Sequence, residues 1–228
     1  MTIYRFAGIL LALLTFSANA VAAQQIDKRA QQLASAAQLV SEKKFDEAIG
    51  VIDPVIASYD AEYAAGDKQV YCAADTKQSL VVLLKAAEAR KSAVTLDTTW
   101  CNALFIKAYI LIDRNKLADA GPYLKKATEM SPLNAHYLNE YAEWYKINHN
   151  WQAAYEVFSQ ARGLREFSPH DYADQIEARA LRGMGFCLIE LGKLDEAEKM
   201  FNESLKLTPE NQTALNEIGY IKELRAKK

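Results

Sequence analysis

Histidine and cysteine are scarce in this sequence, three of each among 228 residues, and their placement excludes several kinds of chemistry. His136, His149 and His170 lie far apart, with no cysteine or carboxylate at metal-ligand spacing. Glycine is thin as well, and none of the nine residues gathers into a phosphate-cradling loop. A serine elbow is lacking. The carboxylates fall mostly on faces expected to meet water, so the sequence reads as a non-enzymatic protein with no cofactor and no metal site. Excess charge is missing too: 27 basic residues stand against 29 acidic ones, for a net charge of −2. A nucleic-acid or anionic-membrane surface needs clustered Lys and Arg, and only the basic end, 222–228, approaches that. It reads as cations in the last turn of a helix.

Only one long apolar run exists, 6–16. Arg5 precedes it, and a tail of small residues, 17–23, follows. That order is the order of a secretory signal, and the run is too short to span a bilayer as an anchor. Cleavage after Ala20, Ala22 or Ala23 suits the small-residue rule, with Ala23 preferred. No cysteine follows the run, which argues against a lipid anchor. The expectation is an exported, soluble, periplasmic protein in which 24–228 carries no transmembrane segment. Loss of Arg5 would make the balance one charge more acidic.

What the sequence does have is a repeat. Ala108, Ala120 and Ala127 recur 34 places on as Ala142, Ala154 and Ala161, and 43 further as Gly185, Ala197 and Ser204. Bulky residues keep the same register: Leu111, Leu117 and Leu124 become Tyr145, Trp151 and Phe158, then Leu188, Leu194 and Phe201. A small residue lets one helix approach its partner closely, and the large ones fill the space beside it. Leu104, Ala108 and Leu111 share one helix face; Leu117, Ala120, Leu124 and Ala127 share another. A polar turn, 113–116, separates them, and Ser131-Pro132 ends the pair, as Thr208-Pro209 does later.

On these residues the chain resembles the tetratricopeptide repeat family. Gly185, Leu188, Gly192, Leu194, Ala197, Phe201 and Pro209 fit the family pattern; Ser204 and Glu166 depart from it. The resemblance implies an all-α, right-handed solenoid of stacked helix pairs. The expected units are 29–60, a degenerate pair over 61–99, then 100–133, 134–167 and 178–210, with a capping helix over 211–226. Asp53-Pro54 is expected to kink or shorten the helix that holds it. The apolar stretch 79–93 reads as a helix buried on most sides, and Thr98-Thr99 as the cap of the helix that follows. Nine extra residues, 165–173, either project from one edge to meet a partner or lengthen two helices.

Export also gives the cysteines a meaning, because an oxidising compartment permits one bridge and leaves one thiol. Cys187 sits inside a well-marked helix and reads as buried. Cys72 and Cys101 are then the candidate disulfide.

In the family, first helices line a concave groove that holds a peptide or a partner's helix. The resemblance places Asn102, Phe105, Tyr109 and Ile112 there, then His136, Asn139, Glu143 and Lys146, then Arg179, Arg182, Phe186 and Ile189, with Tyr220 on the cap. Such a groove suits a peptide bearing apolar side chains and a carboxylate. The aromatic residues either anchor that peptide or pack on neighbouring helices. Phe105 and Tyr109 stand where the family's best-known tail-binding set begins with lysine and asparagine, so that specificity is not implied. The expected function is a scaffold of the cell envelope that binds a protein or peptide and no nucleic acid. A self-associating structural component, a homo-oligomer, is the alternative.

Overall fold

The computed structural model describes residues 28–227; the signal segment 1–23 lies outside them. The chain divides into two units at Ala65 and Gly66.

In the first unit, helix α1 (28–41) is followed by α2 (Phe45–Tyr63). Ala36, Ala48, Ile52, Val55, Ile56 and Tyr59 are buried. Pro54 does not shorten α2, which runs on through it to Tyr63. Buried Arg29 pairs with Glu62 at 2.7 Å and lies 4.1 Å from the centre of the Tyr59 ring.

The second unit opens where a degenerate helix pair was expected, and there the structure differs. Strand β1 (Gln69–Cys72), helix α3 (Thr76–Glu88) and strand β2 (Ala93–Leu96) form a β-α-β unit whose strands pair in parallel, Gln69 opposite Ala93 and Cys72 opposite Leu96. Asp75 caps α3 by accepting from the Gln78 amide at 2.7 Å. The helix is not buried on most sides. Val82 and Ala86 face inward, while Leu80 and Leu84 are 58% and 54% exposed. A disulfide joins Cys72, at the end of β1, to Cys101, with the Cα atoms 6.3 Å apart. Ser131 Oγ donates to the Cys72 carbonyl at 3.1 Å.

Stacked pairs follow: α4 (Thr99–Asp113) with α5 (Leu117–Met130), α6 (Ala135–Ile147) with α7 (Trp151–Arg162), and α8 (Ala173–Glu190) with α9 (Leu194–Leu207). Helix α10 (Gln212–Ala226) covers the end, burying Ala214 and Ile221, with Arg225 bound to Asp195 and Glu198 of α9. Thr98 makes no capping bond; the Asp97 carboxylate accepts from the Thr99 amide at 2.8 Å instead, because it reaches the free donor from one residue further back.

The repeat positions become the core. Ala108, Ala120, Ala127, Ala142, Ala154 and Ala197 are fully buried, and Ser204 with them, its hydroxyl donating to the Phe201 carbonyl at 2.7 Å. The backbone repeats as well. Asn115, His149 and Gly192, at the same 34 and 43 spacings, all take positive φ in the turn between paired helices. A left-handed residue there closes the first helix and starts the second.

Two glycines of α8 explain the close stacking. A Cβ on Gly183 would lie 2.4 Å from the Phe158 ring of the preceding pair, and one on Gly185 2.8 Å from the Phe201 ring of its own pair. Gly183→Val is expected to destabilise the chain by about 1–3 kcal/mol, because both atoms cannot occupy one space. A melting curve identical to the parent's would show that α7 and α8 are less tightly packed.

Cys187 is a free thiol, fully buried, and burial pushes its pKa up to about 12. At pH 8 the reactive thiolate is then roughly one part in ten thousand. Native chain should therefore resist a thiol-specific reagent for hours, and label at one site per chain only when unfolded without reductant. Rapid native labelling would contradict this packing.

Candidate functional site

Helices α6 and α8 lie side by side, their N-terminal ends at the same end of the valley between them. On α6 the valley face carries His136, Glu140, Glu143 and Lys146, a helical spacing that keeps them on one side. On α8 it carries Ile176, Arg179, Arg182, Gly183 and Phe186.

Toward the C-terminal ends of both helices is a cavity of about 130 Å³, lined by Glu143, Lys146, Arg179, Arg182, Gly183 and Phe186, with Thr213 and Glu217 from α10. Its cations differ in how they are held. Lys146 pairs with Glu143 at 3.0 Å and lies 4.4 Å from the centre of the Phe186 ring. Arg179 pairs with Glu140; burial works against its charge, but the bond to Glu140 outweighs that and its pKa is raised. Arg182 has no carboxylate partner among the described residues. Its Nη1 donates to Thr208 Oγ1 at 3.3 Å, and burial, then the charge of Arg179, lowers its pKa. A half-buried guanidinium without a counter-ion is the group in this valley with most to gain from an incoming carboxylate.

Other residues expected in the groove serve the fold. Asn102 accepts from the Tyr137 hydroxyl and donates to Thr98 Oγ1, and Phe105 stacks on Tyr137 with ring centres 5.1 Å apart. Ile112 packs against the buried cluster of Ala108, Leu111, Ala120 and Leu124. Asn139 is 1% exposed and donates to the Ile176 carbonyl at 3.1 Å, tying α6 to α8. Tyr109 and Tyr220 are exposed and line neither valley cavity. The structure thus brings together Glu143, Arg179, Arg182 and Phe186.

At the other end of the valley is a larger cavity, about 510 Å³, that the sequence did not foretell. Its walls come from the β1–α3 junction (Ala74, Asp75, Gln78), the start of α6 (Asn134–His136), the insertion (Glu166–Pro169), and Tyr172 and Ile176. The insertion neither projects freely nor merely lengthens helices. It forms two short 3-10 turns, Arg165–Phe167 and His170–Tyr172, and reaches back to α3. Lys77 Nζ donates to the Glu166 carbonyl at 3.0 Å and pairs with its carboxylate at 3.2 Å; Gln78 Nε2 donates to the Phe167 carbonyl at 3.2 Å.

Comparison with known proteins agrees with this architecture. Sequence models of the tetratricopeptide repeat match residues 102–132 and 133–210. No curated protein matches the chain as a relative. Among solved structures, the first TPR of Spaghetti (RPAP3), bound to the HSP90 peptide SRMEEVD, is 24% identical at a TM-score of 0.51, covering 57% of this chain and 97% of that one. PilF of Pseudomonas aeruginosa is 13% identical at a TM-score of 0.59, covering 87% of this chain and 69% of its own. A MamA protein is 16% identical at a TM-score of 0.58, covering 87% and 82%. These likenesses establish the fold. With repeat matches over 102–210 and the small residues of three pairs buried in register, the chain belongs to the tetratricopeptide repeat proteins, a protein-interaction fold.

Proposed function

We propose that the chain is a non-enzymatic scaffold of the cell envelope that holds an acidic, extended segment of a partner protein in the valley between α6 and α8. The observation that carries this reading is Arg182, half-buried beside Phe186 with no carboxylate of its own. A peptide carboxylate there would complete a charge-assisted pair, and the Phe186 ring would take an adjoining apolar side chain. The peptide bound in the Spaghetti complex supports a peptide occupant for this fold. The tail specificity of the resembled family is not carried over, because Phe105 and Tyr109 stand where its lysine and asparagine set would begin. Export to the periplasm is supported by the signal-like sequence of 1–23 and by a Cys72–Cys101 bridge, which persists in an oxidising compartment.

The test is affinity capture from a native envelope extract with the parent chain beside Arg182→Glu. Among the described residues Arg182 makes one side-chain bond, to Thr208 at 3.3 Å, so the charge reversal should leave the melting curve near the parent's while removing a specific partner. A partner retained equally by both places the binding surface elsewhere. Leu215 and Tyr220, 45% and 47% exposed on α10, favour self-association as the second reading. Sedimentation that shifts with concentration, and stops shifting in Leu215→Ser/Tyr220→Ser, would support it; a concentration-independent monomer would exclude it.

A further inference from the structure

The larger cavity lies at the opposite end of the same valley from Arg182, and much of its lining comes from outside the stacked helix pairs. None of its walls from 74–78 or 166–172 belongs to the regular helix pairs. The β-α-β unit supplies one wall, and the insertion, anchored to it through Lys77 and Gln78, supplies another.

The chemistry of the walls defines the guest. Most of the polar groups there are already engaged. Gln78 accepts from the Ala74 amide at 3.1 Å and donates to Phe167; Asn134 accepts from the His136 and Tyr137 amides; Ser168 donates to Leu164; Asp75 caps α3; and Glu166 pairs with Lys77. What remains on offer is mainly apolar: Ala74, Ala135, Phe167, Pro169, Ile176 and the ring of Tyr172, which is 58% exposed, with the His136 imidazole, packed on Phe105, and the Tyr172 hydroxyl as the polar exceptions. At about 510 Å³ the space falls in the range of ligand pockets and exceeds what a methyl group would fill.

Distance fixes its relation to Arg182. His136 lines this cavity and Glu143 the smaller one; on the neighbouring helix Ile176 and Gly183 do the same. Both offsets are seven residues, which at the helical rise is about 10 Å. An extended chain covers that in roughly three residues. A helical guest would need about two turns, or seven residues, to cover the same distance, so the spacing on the peptide distinguishes the two conformations.

We propose that the insertion and the β1–α3 junction build a specificity pocket for a bulky apolar side chain. That side chain lies three residues from the acidic residue that Arg182 holds, on one extended peptide. This rests on the peptide-binding reading above and adds to it a spacing and a second side-chain class.

The probe is a set of acetylated, amidated nonapeptides with one fixed glutamate. Every other position is scanned among Ala, Ser, Leu, Phe and Trp, and binding to the full chain is followed by fluorescence anisotropy. The parent should favour Leu, Phe or Trp over Ala by about tenfold at one position three residues from the glutamate. Ala74→Trp fills the pocket from an exposed position, and Tyr172→Ala removes an exposed wall. Both should erase that preference while leaving the dependence on glutamate intact. If either variant keeps the preference, the pocket proposal is overturned and the groove reading stands. If the parent shows no dependence on glutamate, and Arg182→Ala binds as it does, the groove reading falls and the pocket proposal with it. A preference seven residues away instead of three would overturn the extended guest.

Discussion

Phe158→Ala is expected to lower the stability of the chain by about 3–5 kcal/mol, the usual cost of emptying a core site of a phenyl ring. Phe158 is fully buried on α7, and its ring faces Gly183 of α8 so closely that no Cβ fits between them. The site cannot collapse without moving one helix pair against the next, which places the cost at the upper end. Chemical denaturation read by circular dichroism would measure it. The same geometry predicts a coupling. In the Phe158→Ala background, Gly183→Ala should change from harmful to neutral or favourable, because alanine is preferred to glycine inside a helix by about 1 kcal/mol and the ring no longer opposes it. Additive effects of the two substitutions would mean the ring does not sit against Gly183.

The second large effect is expected at the disulfide. Cys72 and Cys101 are 29 residues apart, and closing a loop of that length removes unfolded-state entropy worth about 3.5 kcal/mol on the chain-entropy account. Cys72→Ser/Cys101→Ser, or reduction of the parent, should withdraw it. Because stacked repeats interact mainly with their neighbours, the loss should be concentrated at the strand pair and the start of α4, sparing α8 and α9. Hydrogen exchange resolves this: amides of Val70, Tyr71, Val94 and Thr95 should exchange faster, while those around Phe201 hold. Uniform acceleration across the chain would show that it unfolds as one cooperative body, and no change at β1 and β2 would show that the bridge is not formed.

The helix pairs were legible because their small residues have one job. Ala108, Ala142 and Gly185 are buried within the helix pairs, where Gly185 leaves no room for a Cβ beside the Phe201 ring, and a close approach tolerates little but Ala, Gly or Ser, so small residues recur at these positions of the repeat. The β-α-β unit was not legible for the opposite reason. Each strand has four residues, too few for alternation to register, and 79–84 is apolar on a face that the fold leaves exposed at Leu80 and Leu84. A clue was present in Ala93-Val94-Thr95-Leu96, β-branched at its centre and bounded by Ser92 and Asp97. Pro54 misled similarly: a proline costs one bond of the helical ladder, and α2 continues past it with Ile52, Val55, Ile56 and Tyr59 buried around it.

In the groove, the register located the valley but could not say which side chains were already used. Asn102 and Asn139 occupy groove positions and are consumed by Tyr137 and Ile176. Arg179 and Arg182 look equivalent in sequence, yet Glu140 satisfies only the first. The larger cavity was beyond reach because its walls come from residues 89 positions apart, joined at Lys77–Glu166 and Gln78–Phe167.

The most direct test of the central claim is a ¹⁵N–¹H correlation spectrum of the chain, recorded with and without the tightest-binding nonapeptide. A groove-held peptide should shift amides along one face of α6 and α8, around Glu140, Glu143, Arg179, Arg182 and Phe186, and leave the outer faces of α7 and α9 unmoved. Shifts confined to α7 and α9, or scattered without a common face, would contradict the account.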